Sequence, residues 1–108
     1  MFKVTENNAI MLTRGDTARL SVDIITDEGD VYEVGSEDTL TLKVKKRLSD
    51  IEALIEKEVK GRNDFHIEPK DTEHLPFGMY IYSVRITTAK GDKYTVVDNN
   101  SFKIGEVT

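Results

Sequence analysis

Cysteine is absent from this chain. That excludes a disulfide scaffold, a thiolate zinc site and a cysteine nucleophile together, and it fits folding in a reducing compartment. Long apolar runs are absent too. None approaches the roughly 20 residues that span a bilayer, and polar residues follow Met1-Phe2-Lys3 where a signal peptide would carry its apolar core. A surplus of positive charge is missing: 20 acidic residues face 15 basic ones, for a net charge of −5. Such a chain lacks the electrostatic footprint that phosphate backbones select, and its charge mainly supports solubility. Neither a nucleic acid nor a membrane is expected as a partner.

The 108 residues fit one domain spanning 1–108. A domain of this size buries roughly two-thirds of its unfolded surface and needs no metal or crosslink to fold. The initial Met1 fits a complete small gene product.

Groups that carry chemistry are few and scattered. The two histidines are His66, on the polar side of a Phe65–Ile67 segment beside Glu68, and His74, near Asp71 and Glu73. They sit on different elements without ligand-type spacing, so they read as solvated surface rather than a metal site. The carboxylate pairs Asp27 with Glu28, Glu37 with Asp38, and Asp71 with Glu73 all fall in turn-like stretches. There water keeps both members ionised, whereas general acid–base work needs one of them held in a pocket. The Asp27–Asp30 loop lacks the ligand pattern of an EF-hand. No serine lies in a nucleophile elbow, and no glycine-rich loop cradles phosphate. The expectation is a non-enzyme with no catalytic, cofactor-binding or metal site and no cofactor.

What dominates is alternation with a period of two. Ala18, Leu20, Val22 and Ile24 share one face of an extended segment. Leu40, Leu42 and Val44 share another, and so do Tyr80, Tyr82, Val84 and Ile86. Each such segment offers one apolar face to a core, a pattern that favours antiparallel sheets. Shorter segments repeat it at Ile10 with Leu12, Val31 to Val34, Phe65 with Ile67, Tyr94 with Val96, and Phe102 with Ile104. Turn signals separate them at Asp27–Asp30, Gly61–Asp64, Lys90–Asp92 and Asp98–Asn100. Seven to nine short strands at this spacing indicate an all-β sandwich or barrel.

Two segments depart from alternation. Between Leu48 and Val59 the apolar residues Leu48, Ile51, Leu54, Ile55 and Val59 have helical spacing, and Ser49 with Glu52 resembles a capping box. A turn followed by a strand over Leu54–Val59 competes with that helix. Between Asp71 and Leu75 one short helical turn is expected, capped by Asp71 and ended by Pro76 and Gly78. Tyr80, following Leu75 and Gly78, stands where immunoglobulin-like sandwiches place a tyrosine corner, with its ring in the core and its hydroxyl on nearby backbone.

Two surface motifs have ordinary readings. Lys43, Lys45, Lys46 and Arg47 form a basic run, read either as a contact for an anionic partner or as a solvated face or lysine-protected sheet edge. Arg14-Gly15-Asp16 spells an integrin-binding tripeptide, but these residues suit a turn between two strands.

Taken in order, Ile10-Met11-Leu12-Thr13-Arg14-Gly15-Asp16-Thr17-Ala18, Leu42-Lys43-Val44-Lys45-Lys46, Ile67-Glu68-Pro69-Lys70-Asp71-Thr72 with Leu75, Gly78 and Tyr80, and Thr95-Val96-Val97 with Phe102-Lys103-Ile104 resemble small immunoglobulin-like domains of phages and prophages of Gram-positive bacteria. Among these, they resemble the N-terminal domain of the siphovirus baseplate upper protein family. The resemblance covers nearly the whole chain and rests on structural motifs. It implies an immunoglobulin-like antiparallel β-sandwich, a strand over Leu54–Val59 with Ser49–Glu52 as a turn, and a role in anchoring a receptor-binding apparatus to a phage tail. Longer members of that family continue into helical and C-terminal parts, whereas this sequence stops after the domain. The expectation is therefore an adaptor in the tail or baseplate, made in the bacterial cytoplasm and carried in the virion. Its partners would be other virion proteins, with a homo-oligomer also open. The alternative is a soluble bacterial or prophage-encoded module that recognises a host protein or glycan. Outward residues such as Arg19, Lys43, Lys45 and Arg85 are the candidate contacts.

Overall fold

In the computed structural model, which describes residues 2–3 and 9–106, the alternating segments become strands and their apolar faces meet. Nine strands and one helix follow in chain order among the described residues. They are β1 (Phe2–Lys3), β2 (Ile10–Thr13), β3 (Ala18–Ser21), β4 (Ile25–Thr26), β5 (Thr39–Lys45), β6 (Ile55–Lys60), β7 (Asp64–Ile67), α1 (Pro69–Thr72), β8 (Gly78–Thr87) and β9 (Lys93–Gly105). One layer is a five-stranded sheet in the order β2-β9-β8-β5-β6. The facing layer is the β3–β7 pair, and β1 pairs with β4. With β5, β8 and β9 on one side and β3 with β7 on the other, this is an all-β sandwich.

The core lies between the layers. Leu40, Leu42 and Val44 of β5, Tyr80, Tyr82, Val84 and Ile86 of β8, and Phe102 and Ile104 of β9 meet Val22, Ile24, Phe65 and Ile67 from the other layer. Tyr82 meets Phe102 edge to face, with ring centroids 6.1 Å apart, the geometry that ring quadrupoles favour. Burial alternates along β5 and β8 as the sequence pattern requires. The β3–β7 pairing continues one residue past its strands: the Asn63 side-chain amide donates to the Val22 carbonyl while the Val22 N–H donates to the Asn63 carbonyl.

Several elements differ from expectation. All pairings are antiparallel except β2 with β9, which run parallel from Ile10 opposite Phe102 to Thr13 opposite Gly105. A parallel pair needs a long crossover, and here nearly the whole domain lies between the two strands. Tyr94–Val96 and Phe102–Ile104 are parts of one 13-residue strand, β9. Asp98-Asn99-Asn100 does not reverse the chain. It forms an irregularity in which β8 advances from Tyr82 to Val84 while β9 retreats from Asn100 to Val97. The signal for positive φ was real, because Asn99 has φ 48°, but a β-bulge uses it rather than a turn. A second register shift next to it leaves Val96 and Val97, consecutive in sequence, both buried.

Val31–Val34 is not a strand; a single bridge joins Val31 to Ile25. The segment expected to extend from Ala18 to Ile24 stops pairing at Ser21, although Val22 and Ile24 still point inward. Over residues 48–59 the strand reading holds: Ile55–Lys60 is β6, and the preceding residues form a loop. The helical spacing there was incidental, since Ile51 is 95% exposed and Leu48 63%. The helical turn is capped three residues earlier than expected. Glu68 is its N-cap and Asp71 its third residue, with the Asp71 carboxylate accepting from the Glu68 N–H at 2.8 Å. Pro69 at the first helical position, where its missing N–H costs nothing, fixes that earlier start.

Tyr80 forms the tyrosine corner. It is buried, and its hydroxyl donates to the Pro76 carbonyl at 2.6 Å. Arg14-Gly15-Asp16 is the turn between β2 and β3. There Gly15 adopts φ 85° and its N–H donates to the buried Thr72 hydroxyl at 2.9 Å, tying this turn to α1.

Candidate interaction surface

The residues that could do chemistry are kept apart. His66 is exposed on the outer side of the β3–β7 layer, opposite Arg19. His74 is exposed in the turn after α1. Among the described residues no group of three or more His, Asp or Glu side chains is placed to hold a metal ion. No helix there is long and apolar enough to cross a membrane.

The carboxylate pairs divide differently from expectation. Asp27 and Glu28 are exposed at a hairpin tip, and Glu37 is exposed with Lys60 3.1 Å away. Asp38 is not in water but only 5% exposed. The tight Gly35–Asp38 turn folds it inward, where its carboxylate accepts from the Gly35 N–H at 2.9 Å and from the Tyr32 hydroxyl. Burial pushes its pKa up, but these hydrogen bonds and one with the Ala89 backbone outweigh burial and hold it below its ordinary value. The same bond raises the Tyr32 hydroxyl to about 12. Asp71 is also partly buried and has Lys57 at 2.8 Å; burial raises its pKa, but the hydrogen bonds from Lys57 and the Glu68 N–H outweigh that and hold it below its ordinary value. Both carboxylates therefore stay ionised in structural roles.

One cavity, of about 270 Å³, lies between the layers beside Ala9, Ile10, Leu20, Phe65 and Val84. Arg19 is the one charged side chain that lines it.

The outer face of the five-stranded sheet is chemically more distinctive. Period-two alternation sends Lys43 and Lys45 of β5, Arg85 of β8, and Lys93 and Lys103 of β9 to the side away from the core. Outside the bulge, these three central strands present no acidic side chain on that face; β6 adds Glu56 opposite Lys43, Glu58 opposite Thr41 and Lys60 opposite Thr39 to it. β5 lies between β6 and β8, so its lysines do not guard a sheet edge, and that reading of the basic run is overturned. Lys46 leaves the face: its ammonium donates to the Met79 carbonyl at 3.1 Å and sits 4.6 Å from the centre of the Tyr80 ring. Arg47 is exposed in the following loop.

Two shallow depressions mark the face. One, of about 240 Å³, is bounded by Lys43, Lys45, Leu48, Ser83, Arg85 and Asn99. The other, of about 130 Å³, lies between Thr41, Lys43, Ser83, Arg85 and Lys93. They share Lys43, Ser83 and Arg85, so together they form one furrow along β5 and β8. Lys43 has a loose, exposed ion pair with Glu56 at 3.6 Å. Leu48 lies at the rim of the furrow, and Met79, 53% exposed, follows beyond Ile81 on the same side of β8. Of the expected outward residues, Lys43, Lys45 and Arg85 come together here, while Arg19 belongs to the opposite layer, paired with Asp64 at 3.4 Å. Sequence reasoning missed Lys93, Lys103 and Asn99, which the bulged β9 brings to the same face.

Opposite in charge is the stretch from Asp23 to Asp38. It carries Asp23, Asp27, Glu28, Asp30, Glu33, Glu37 and Asp38 and no basic residue. Part of it is a tight hairpin. The Thr26 N–H donates to the Asp30 carbonyl at 2.8 Å, and the Tyr32 N–H to that of Ile24 at 2.8 Å. Val31, 70% exposed, sits beside the acidic tip.

No protein-family model matches the chain, and no curated protein matches its sequence.

Proposed function

We propose that the chain is a non-enzymatic assembly domain of a bacteriophage or prophage virion, an adaptor of the tail or baseplate that binds other virion proteins. The observation that carries this reading is the outer face of the five-stranded sheet. Lys43, Lys45, Arg85, Lys93 and Lys103 of its central strands outnumber the Glu56 and Glu58 that β6 adds to the same face, in a protein that is acidic overall. Surfaces of this kind steer and register a protein partner. The motif order from Ile10 to Ile104 and the tyrosine corner at Tyr80 supply the link to phage immunoglobulin-like domains, as a resemblance. The edge strands β2 and β6 offer unpaired backbone for strand addition as a second mode of contact.

A tagged copy expressed during phage growth or prophage induction is expected to co-purify with particles and to be visible on the tail by negative-stain microscopy. Its absence from purified virions would remove the reading. It would favour instead a soluble module whose cationic furrow takes a host protein or glycan.

A further inference from the structure

We infer that the cationic outer face docks the acidic hairpin of a second copy of this chain, giving a head-to-tail contact. This rests on the assembly reading and names one partner within it. The face offers Lys43, Lys45, Arg85 and Lys93 along a furrow between β5 and β8, with exposed Met79 and rim Leu48 for apolar contact. The hairpin offers the reverse. Asp27, Glu28 and Asp30 crowd its tip, and Val31 beside them is largely exposed. Opposite charge and an apolar residue on both surfaces give register as well as attraction. The hairpin is already shaped, because Thr26 closes it through backbone and side-chain bonds to Asp30, with the Asp30 N–H 3.2 Å from the Thr26 hydroxyl. Little ordering is then lost on docking.

The two surfaces are different parts of the molecule. The contact is therefore heterologous, and repeated copies close into a ring or extend as a filament according to the rotation between them. A foreign acidic protein would fit the face equally by charge, but this chain supplies the complementary hairpin itself.

Sedimentation velocity on the full chain tests the inference. At low ionic strength the wild type is expected to self-associate, and near 0.5 M salt, where the Debye length falls to roughly 4 Å, to revert to monomer. Lys43→Glu with Arg85→Glu, or Glu28→Lys with Asp30→Lys, is each expected to weaken association at least about tenfold, because like charges then meet. The decisive arm mixes two neutralised variants, Lys43→Gln with Arg85→Gln and Glu28→Gln with Asp30→Asn, because two reversals would attract each other at a second junction. One keeps a working hairpin and the other a working face, so the mixture is expected to form a dimer that stops at two copies. Circular dichroism confirms that each variant is folded; if a reversal unfolds the chain, Lys43→Gln with Arg85→Gln replaces it. A wild type that stays monomeric at all salt concentrations overturns the inference, as does a mixture that fails to dimerise. A monomeric wild type that binds poly-glutamate through Lys43 and Arg85 overturns it in favour of a foreign acidic partner. Particle composition separates this from the assembly reading: a monomer found in virions sinks the self-docking alone, whereas a self-associating chain absent from virions sinks the phage role alone.

Discussion

At the scale of single residues, three buried polar groups hold the ends of the sandwich. Tyr80 closes the tyrosine corner on Pro76, Thr72 receives the Gly15 N–H, and Asp38 receives Tyr32 and Gly35. Tyr80→Phe keeps the ring and loses one hydrogen bond, so thermal unfolding is expected to show a loss of about 1 kcal/mol with the fold unchanged. The Asp38–Tyr32 pair sets a pH signature. The Asp38 pKa is lowered on folding, so its contribution is complete above the ordinary value of 3.8 and is lost as pH falls through the lower folded value. The Tyr32 pKa is raised from 10.0 to about 12, so its contribution is complete below pH 10 and is lost as pH rises through about 12. Tyr32→Phe is expected to flatten the alkaline limb of a stability–pH curve measured by urea titration, and Asp38→Asn to shrink the acid limb. Unchanged limbs in both variants would show that the pair contributes nothing.

At the scale of elements, the loop before β6 and the bulge in β9 are where local pattern and structure part. Leu42 is buried in β5, whereas Leu48 and Ile51, which completed the helical spacing, are exposed. Leu42→Ala is expected to cost about 2–5 kcal/mol in chemical denaturation, while Ile51→Ala stays within about 0.5 kcal/mol. A large loss at Ile51 would restore the helix reading. At the bulge, Asn99→Gly is expected to be tolerated because glycine adopts positive φ freely, while Asn99→Val is expected to cost about 1–2 kcal/mol by forcing a β-branched residue there.

The alternating strands β5 and β8 were legible because each buries one face, so period and burial coincide residue by residue. The tyrosine corner was legible because Tyr80 follows its turn at a characteristic distance. Asp98-Asn99-Asn100 was misread because positive φ serves bulges and turns alike, and only the partner strand distinguishes them. The cationic face was legible in part. Lys43, Lys45 and Arg85 could be assigned outward from alternation, but which strands lie side by side depends on long-range pairing that no local pattern encodes. For that reason Arg19 was grouped with them and Lys93 and Lys103 were not.

At the scale of the whole molecule, the sandwich separates two tasks. Its interior is an apolar cluster shared by both layers, and Tyr80, Thr72 and Asp38 hold loops at its margins. Its outside divides an acidic total charge into a cationic sheet face and an acidic hairpin. A single hydrophobic core joins both layers, so urea unfolding is expected to be one cooperative transition, with fluorescence and circular dichroism coinciding. Two separated transitions would mean that the β3–β7 layer folds apart from the five-stranded sheet.

The most direct test is lysine labelling read by mass spectrometry, comparing the free chain with the chain in purified particles. Lys43, Lys45, Lys93 and Lys103 are expected to lose reactivity in the particle, while Lys70, exposed on α1, keeps its own. Equal reactivity of all five lysines in both states, or no chain in the particles, would contradict the account.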